Sequence, residues 1–254
     1  MKVVIIGSGN VATVLGRRIL YAEHEIIEVI SKHENHAKTL ADELHCDYSN
    51  NFVNISDHAD IYIIAVSDDA LTDLSNQLQF QNKIAVHTAG SVSKNILQNV
   101  SKNFGVIYPL QTLRKEIKAD FEIPILIDGN TEDTLAVVED FANTISHNVQ
   151  IADDNTRLQL HVAATIVNNF SNHLFALAED YCNQQKIDFK LLVPLIEETA
   201  KRMEQFSPSQ MQTGPAIRHD MQTIQSHLQL LGNFPELKKI YVLFTESIQK
   251  NENL

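Results

Sequence analysis

The chain is poor in the residue types that mark disulfide-rich, metal-binding and nucleic-acid-binding proteins. Only two of its 254 residues are cysteines, Cys46 and Cys182, which is too few for a disulfide framework and gives no metal-ligand spacing. The 32 acidic residues outnumber the 20 basic ones, for a formal net charge of -12 that would repel phosphate backbones. We therefore expect a reducing compartment, no metal site and no nucleic acid as a partner.

The sequence also lacks long hydrophobic runs. Its N-terminal apolar run, residues 3–6, is far shorter than the roughly 20 residues of a membrane span and leads directly into glycines, unlike a secretory signal peptide. We expect a cytoplasmic protein with no membrane partner. With 44% hydrophobic and 20% charged residues, the composition is that of a globular protein with a full core.

Short β-branched runs alternate with amphipathic stretches over the first 152 residues. The clearest apolar runs are residues 3–6, 26–30, 61–66 and 84–86. Runs that are apolar on both faces suit the buried strands of a parallel sheet, and the stretches between them suit crossover helices. The pattern predicts an α/β fold, with a Rossmann-type parallel-sheet domain over residues 1–152.

Strand signals stop after residue 152. Residues 155–184 have the periodicity of one long helix, and three further helices are expected near 189–206, 215–231 and 235–248. The second half is therefore predicted to be an all-α domain over residues 153–254. The absence of a low-complexity linker implies a packed interface between the two domains, with a cleft in which a substrate binds.

A glycine motif follows the first apolar run and opens the first predicted helix. It consists of Gly7, Ser8, Gly9, Asn10, Val11 and Ala12, which matches the Gly-x-Gly-x-x-Gly/Ala fingerprint in its required context. The first glycine permits a tight turn, the second lets a pyrophosphate approach the backbone, and the helix N-terminus favours the phosphates. The motif predicts a dinucleotide site, against the alternative of a vestigial fold that binds nothing.

The end of the second predicted strand indicates which dinucleotide binds. Ser31, Lys32 and His33 can bond and neutralise a 2′-phosphate, which favours NADP over NAD, unless Lys32 and His33 are only solvated loop residues. Glu28 has the spacing of an NAD-selecting carboxylate, but it lies inside the strand. Because ligands bind beyond the carboxyl ends of the strands, the remaining predicted cofactor residues are Val66, Ser67, Thr88 and Ala89.

Four segments carry a resemblance to a known family, namely residues 65–69, 87–91 (His-Thr-Ala-Gly-Ser), 109–112 (Pro-Leu-Gln-Thr) and 213–220 (Thr-Gly-Pro-Ala-Ile-Arg-His-Asp). Together they resemble bacterial predicted oxidoreductases that join a Rossmann-like NADP-binding domain, akin to that of pyrroline-5-carboxylate reductase, to a helical C-terminal domain of unknown function. The resemblance implies NADP-dependent oxidoreductase activity. Two residues depart from it: Tyr108 stands where the family usually has His, and His219 where it usually has Gly.

The helical half is also similar to the group that contains 6-phosphogluconate and hydroxyisobutyrate dehydrogenases. That group carries Lys-x-x-Asn-Asn on its first long helix, where this chain has Thr165, Asn168 and Asn169. The asparagines match, but threonine cannot deliver a proton as the lysine ammonium does, so the chemistry of that group does not transfer. Since related reductases pair through this domain, and its first helix is apolar over much of its circumference, we expect a homodimer.

The predicted catalytic residues are His161, Asn168, Asn169 and His87. The first three form a polar stripe on an apolar helix, which fits the lining of a wet cleft, although His161 alone also fits a hydrogen-bonded structural histidine. His87 ends the fourth apolar run, where Rossmann domains expose residues towards the nicotinamide. Its alternative role is that of a strand-end residue bonded to a neighbouring loop.

The predicted substrate-binding residues are Thr213, Arg218 and Asp220, at a helix expected to start with Pro215 in its first turn. Arg218 would bind an anionic substrate group beside His161, or the segment is only a helix cap with an ion pair. The sequence thus predicts an NADP(H)-dependent oxidoreductase that transfers a hydride to or from a carbonyl or imine carbon of a small anionic metabolite. The alternative is a non-enzymatic NADP(H)-binding sensor or partner protein.

Overall fold

The computed structural model describes residues 1–117 and 121–250. Contacts within the chain divide it into two compact units, Met1–Asn168 and Asn169–Leu254. The domain boundary expected after residue 152 stays a prediction. Within the described residues, no helix is both long and apolar enough to cross a membrane.

The first unit is built on one eight-stranded sheet with the order β3-β2-β1-β4-β5-β6-β7-β8. All neighbouring strands are parallel except β6 and β7, which are antiparallel. This confirms the α/β prediction, although strand direction at β7 was not visible in the sequence pattern. The strands are β1 (Lys2–Ile6), β2 (Glu25–Ile30), β3 (Asp47–Ser49), β4 (Ile61–Ile64), β5 (Gln81–His87), β6 (Ser101–Pro109), β7 (Ile125–Gly129) and β8 (Val149–Ile151).

Helices cover both faces of this sheet, as its doubly apolar strands require. Alternate residues of β1 point into two different apolar clusters: Val3 and Ile5 into one, Val4 and Ile6 into the other. One cluster includes residues of α1, α2 and α4, and the other includes residues of α3. The helices of this unit are α1 (Asn10–Tyr21), α2 (Glu34–Leu44), α3 (Asp68–Ser75), α4 (Glu132–Ile145) and α5 (Asp154–Ala164).

The direction of the sheet order reverses beside β1, because β2 and β3 lie on one side of it and β4, β5 and β6 on the other. Since these six strands are parallel, their carboxyl ends share one edge of the sheet. Such a reversal opens a crevice at that edge, which is where ligands bind in open α/β sheets. The predicted cofactor segments all follow strands that end there.

A wide helical turn follows α5. Residues Thr165–Phe170 form a π-helical segment, and α6 (Ser171–Gln184) begins directly after it. The long helix predicted over 155–184 is therefore present, but its i to i+5 bonding at the Thr-Ile-Val-Asn-Asn stretch was not expected. Single π turns inside α-helices are frequent at functional sites.

The second unit is helical, as predicted. After α6 it contains α7 (Val193–Arg202), α8 (Met221–Leu230) and α9 (Pro235–Lys250). The prediction of a helix that starts at Pro215 is wrong. Residues 215–219 form turns, and α8 begins only at Met221. The physical reason is backbone conformation: Gly214 has φ of +108° and His219 has φ of +50°, and left-handed residues do not continue an α-helix.

Candidate functional site

A turn between β1 and α1 leaves no room for a side chain at its first position. Gly7 has φ of +127°, and a Cβ placed there would lie 2.1 Å from the carbonyl oxygen of Ala65. The Gly7 N–H donates to the carbonyl oxygen of Ile30 at 2.7 Å, which fastens the turn to the end of β2. The fold itself therefore requires glycine at position 7.

The second glycine of the motif has space around it. A Cβ on Gly9 would meet no atom within 4 Å, and the first turn of α1, which follows it, carries no acidic residue. The first N–H groups of a helix lack intrahelical partners and carry partial positive charge. The open space at Gly9 thus fits a phosphate group, and glycine is not needed there for packing.

A cavity of about 660 Å³ opens at this turn, which is a usual size for a small-molecule site. Two predicted cofactor residues, Thr88 and Ala89, are not among those that line it. The other nine do line it: Gly7, Ser8, Gly9, Asn10, Val11, Ser31, Lys32, Val66 and Ser67.

Six further lining residues were missed by the sequence reasoning. Ala70, Leu74 and Gln77 follow one another at helical spacing on and just beyond α3, so the amphipathic pattern after β4 could have identified this face. Phe52 lies outside any helix or strand, where no periodicity points to it. The complete set of missed lining residues is Phe52, Ala65, Ala70, Asp73, Leu74 and Gln77.

Polar and basic groups surround the end of β2. The Oγ atoms of Ser8 and Ser31 are 2.7 Å apart, and Lys32 is exposed beside them. Beyond Lys32 a second cavity of about 380 Å³ is lined by Lys32, His33, Glu34, Asn35 and His36. Its ionisable groups are one ammonium, two imidazoles and one carboxylate.

Glu28, the alternative selector of the cofactor, is occupied elsewhere. It lies inside β2, where it pairs with Val4 of β1, and its Oε2 accepts from the Ser56 N–H at 3.1 Å. A carboxylate with a backbone partner at mid-strand is poorly placed to reach a ribose hydroxyl beyond the strand end. This geometry favours the Ser31 and Lys32 end as the selector.

His87 ends β5 as expected, but its side chain is completely buried. The Ala89 N–H donates to its Nδ1 at 3.1 Å, while Nε2 has no hydrogen-bond partner among the described residues. Burial, reinforced by the positive charge of Arg157, lowers the pKa of His87 to about 4, so the ring is neutral at neutral pH. This placement favours the strand-end alternative over contact with a substrate.

The segment after His87 is held by α5. Arg157 is 1% exposed, and its Nη2 donates to the carbonyl oxygen of Val92 at 2.6 Å and to Oδ1 of Asp154 at 2.7 Å. Asp154 also accepts from the Lys94 N–H at 3.0 Å and from the Ser93 hydroxyl. The residues that follow β5 are thereby fixed to the start of α5.

Tyr108, at the end of β6, forms a pair with the predicted catalytic residue His161. The Tyr108 Oη and His161 Nδ1 atoms are 3.0 Å apart, the rings are edge to face, and both residues are partly buried. Gly90 packs against this pair, because a Cβ there would lie 2.7 Å from Cζ of Tyr108 and 2.8 Å from Nδ1 of His161. The sequence identified both residues but not their contact.

A second hydrogen bond joins the same two segments. Nδ2 of Asn168 donates to Oγ1 of Thr112 at 2.5 Å. The polar stripe therefore has one hydrogen bond to the end of β6, at Tyr108, and one to the chain just after it. The structure thus brings His161 and Asn168 together with the Pro-Leu-Gln-Thr segment that followed Tyr108 in the sequence. Asn169 is exposed.

In the second unit, Asp220 is the N-cap of α8. Its Oδ1 accepts from the Thr223 N–H at 3.1 Å and its Oδ2 from the Thr223 hydroxyl at 2.7 Å. These bonds lower the pKa of Asp220, and the charge of Arg218 adds to the effect. Asp220 therefore has the capping role that the sequence left open, but for α8 and not for a helix at 215. Thr213 and Arg218 are exposed.

No metal centre is formed by the described part of the chain, which contains no group of three or more His, Cys, Asp and Glu side chains able to hold an ion. The sheet order, the glycine turn and the cavity at the carboxyl edge together define a Rossmann-type dinucleotide-binding protein.

Comparison with known proteins identifies the family. The family model described as "NADP oxidoreductase coenzyme F420-dependent" matches residues 2–90, and a domain of unknown function matches residues 123–248. The crystal structure of a "putative NADP oxidoreductase" from Bacteroides fragilis is 34% identical, with 98% of each chain covered and a TM-score of 0.92. The chain belongs to this family of NADP-dependent oxidoreductases, which confirms the resemblance seen in the sequence. No protein with a curated description matches it.

More distant structures share the fold. Pyrroline-5-carboxylate reductase from Streptococcus pyogenes is 15% identical, with 98% of each chain covered and a TM-score of 0.67. A reductive aminase from Aspergillus terreus, solved with NADPH and ethyl-5-oxohexanoate, is 13% identical, with 99% of this chain and 94% of that chain covered and a TM-score of 0.72. At these identities the likeness concerns the fold alone.

Proposed function

We propose that the chain is an NADPH-dependent reductase that acts on the carbonyl or imine carbon of a small anionic metabolite. The observation that carries this proposal is the cavity at the carboxyl edge, where the open Gly9 turn and the start of α1 fit a pyrophosphate. The reduced nicotinamide supplies the hydride when bound. The residues of the chain bind, orient and protonate the substrate.

NADPH is proposed over NADH because of the groups at the end of β2. Lys32 lines both the main cavity and the second cavity, which also has two imidazoles and one carboxylate, while Glu28 is bonded to Ser56. An ammonium forms a charge-assisted hydrogen bond with a 2′-phosphate, which is stronger than its hydrogen bond with a neutral ribose hydroxyl. The chain should therefore bind NADPH more tightly than NADH by about 10-fold or more, roughly 1.4 kcal/mol.

Titration calorimetry with both cofactors tests this preference. Lys32→Ala should weaken NADPH binding about 10-fold and leave NADH binding nearly unchanged, since only the 2′-phosphate loses a partner. Lys38→Ala is the matched control, because Lys38 is an exposed lysine of the neighbouring helix α2 that lines neither cavity. Equal affinities of the unaltered protein for NADPH and NADH would contradict the assignment.

The proposed reaction class rests on the fold. An imine reductase from Myxococcus stipitatus with NADP+ and the reductive aminase with NADPH have this fold, with TM-scores of 0.68 and 0.72. A screen of ketones and imines that follows NADPH consumption tests the class. Tight NADPH binding without turnover across a broad panel would support the alternative, a non-enzymatic sensor or partner protein.

The anionic nature of the substrate rests on Arg218. Its guanidinium is exposed, and none of the ion pairs in the described part of the chain includes it. The oxygens of Asp220 accept from Thr223 instead. Arg218→Ala should weaken binding of an anionic substrate by roughly 2–4 kcal/mol, as for loss of a desolvated charge partner, with NADPH binding unchanged. Arg202→Ala is the control, because Arg202 pairs with Glu198 on the surface of α7. An equal loss in both variants would point to a nonspecific charge effect.

A homodimer through the helical domain is also proposed. Val162, Ile166 and Phe170 recur at a spacing of four residues and are 54%, 53% and 58% exposed in the single chain. Such an apolar row is costly to leave in water, and a second copy would cover it. Light scattering should give twice the 28.6 kDa chain mass at micromolar concentrations. A monomer mass would refute it.

A further inference from the structure

The pair formed by Tyr108 and His161 lies at the same sheet edge as the cavity. Tyr108 is near the carboxyl end of β6, which is parallel to β5, and β5 is parallel to β4. Ser67, which follows β4, lines the cavity, and the next residue, Asp68, accepts from the Ser91 hydroxyl at 2.5 Å. The hydrogen bond between Asp68 and Ser91 thus connects the lining of the cavity to Gly90, which packs against the Tyr108–His161 pair.

The side of the sheet on which the pair lies matters for its role. Ser31 and Lys32 follow β2, on one side of β1, whereas Tyr108 lies in β6, on the other side of β1 and beyond β4 and β5 in the sheet. In open α/β sheets, dinucleotides bind across such a reversal. With a 2′-phosphate held by Lys32, the other half of the cofactor would be held by residues that follow the strands on the other side of β1, as Val66 and Ser67 do. Tyr108 and His161 would then lie on the same side of β1 as the nicotinamide and the substrate carbon that it reduces.

The chemistry of the pair suits proton delivery. Burial raises the pKa of the Tyr108 phenol, and the Asp68 carboxylate raises it further against the opposing charge of Arg157. The phenol therefore keeps its proton at neutral pH. An imidazole 3.0 Å from the phenol oxygen can replace a proton that the phenol gives away.

We propose that Tyr108 is the proton donor of the reaction and that His161 resupplies it, an inference that rests on the proposed reductase function. As the carbonyl carbon gains its new C–H bond, the carbonyl oxygen takes the proton of the Tyr108 hydroxyl. The resulting phenolate takes the Nδ1 proton of His161, and the imidazole regains one proton from solvent. The net change is the gain of one hydride and one proton by the substrate, with Tyr108 unchanged.

The first test needs neither cofactor nor substrate. In ¹⁵N-histidine-labelled protein, Tyr108→Phe should change the Nδ1 signal of His161, because the Tyr108 oxygen is its hydrogen-bond partner. The control is Tyr241→Phe, since Tyr241 Oη is 2.8 Å from Nδ1 of His227 in an equivalent pair of the helical unit. The control should change the signal of His227 and leave that of His161 as it was. An unchanged His161 signal in Tyr108→Phe overturns the inference.

The second test compares a ketone with an N-alkyl iminium ion of similar shape. Reduction of the ketone consumes a proton, whereas reduction of the iminium ion does not. Tyr108→Phe should lower kcat/KM for the ketone about 100-fold or more and leave that for the iminium ion within about 3-fold. His161→Asn, which cannot resupply the proton, should also lower kcat/KM for the ketone more than that for the iminium ion.

The outcomes separate this inference from the function on which it rests. Equal losses for both substrates in Tyr108→Phe would make Tyr108 a positioning residue, and no loss for either would exclude it from the reaction. Both results overturn the inference while the reductase function stands. If the unaltered protein binds NADPH but reduces neither substrate, the proposed function fails, and the proton-donor role fails with it.

Discussion

Replacing Gly90 with alanine is expected to separate Tyr108 from His161. A Cβ at this position would lie 2.7 Å from Cζ and 2.9 Å from Cε2 of Tyr108, and 2.8 Å from Nδ1 of His161. All three distances are far below an ordinary van der Waals contact, so the two rings must move. Because the phenol oxygen is bonded to Cζ and Nδ1 is itself a crowded atom, the movement should break the 3.0 Å hydrogen bond.

The expected loss of stability follows from two opposing effects. Forcing a methyl group into a packed site costs about 1–3 kcal/mol. Gly90 does not have a positive φ, so alanine fits its backbone and regains roughly 0.4–1 kcal/mol by restricting the unfolded chain. The free energy of unfolding should thus fall by about 1–2 kcal/mol, since the rings bear the strain and can partly relieve it.

Urea unfolding and the ¹⁵N signal of His161 measure the two consequences separately. Gly232→Ala is the control, because a Cβ there would meet no atom within 4 Å and Gly232 does not have a positive φ. The control should unfold at the same or a slightly higher urea concentration, with an unchanged His161 signal. A Gly90→Ala protein as stable as the unaltered one, with His161 still bonded, would refute the packing argument.

Two other predictions concern the glycine turn and the buried histidine. Gly9→Ala should leave stability unchanged or slightly raised, because its Cβ meets no atom. The same Cβ would enter the space of the phosphate and weaken NADPH binding about 10-fold or more. Undiminished binding of the folded variant in calorimetry would mean that the turn holds no phosphate. Folding lowers the pKa of His87 from 6.5 to about 4, so the unfolded chain takes up a proton on this residue at a higher pH than the folded chain does. Stability that depends on neutral His87 is therefore lost as the pH falls from about 6.5 towards 4. Between pH 7 and pH 5 this loss amounts to about 2 kcal/mol, which His87→Asn should lack; identical pH dependence of urea unfolding in both proteins would rule it out.

Local patterns in the sequence determined most of the fold. Residues 3–6 are all apolar, with no alternation of polar and apolar positions. The structure explains this, because alternate residues of this strand pack into apolar clusters on opposite faces of the sheet. The antiparallel direction of β7 was not predictable, because a buried strand has the same apolar pattern in either direction. The start of α8 was misplaced because Pro215 suits a first helical turn. The left-handed conformation of His219 was missed, although the glycine that the resembled family usually has at this position is the residue that favours it.

The cofactor part of the site was easier to predict than the rest. Residues 7–11 form one continuous motif, and a strand end fixes the place of Ser31 and Lys32, so sequence spacing alone brings them to one cavity. His87 shows the limit of that reasoning: a strand end predicts the position of its backbone, but the neighbours that bury its ring come from distant segments such as α5.

Tyr108 shows why a departure from a family pattern has to be judged in three dimensions. In the sequence, Tyr108 departs from the family pattern because it stands where the family usually has histidine. In the structure, the phenol at position 108 bonds to an imidazole that lies 53 residues further along the chain, so a histidine is still present at the site. A tyrosine hydroxyl both donates and accepts, as a neutral imidazole does through its two nitrogens, so the substitution keeps a proton donor at the end of β6. Tyr108→His should therefore retain more ketone reduction than Tyr108→Phe, because an imidazole restores a donor that phenylalanine lacks. Equal activity of the two variants would mean that position 108 contributes shape alone.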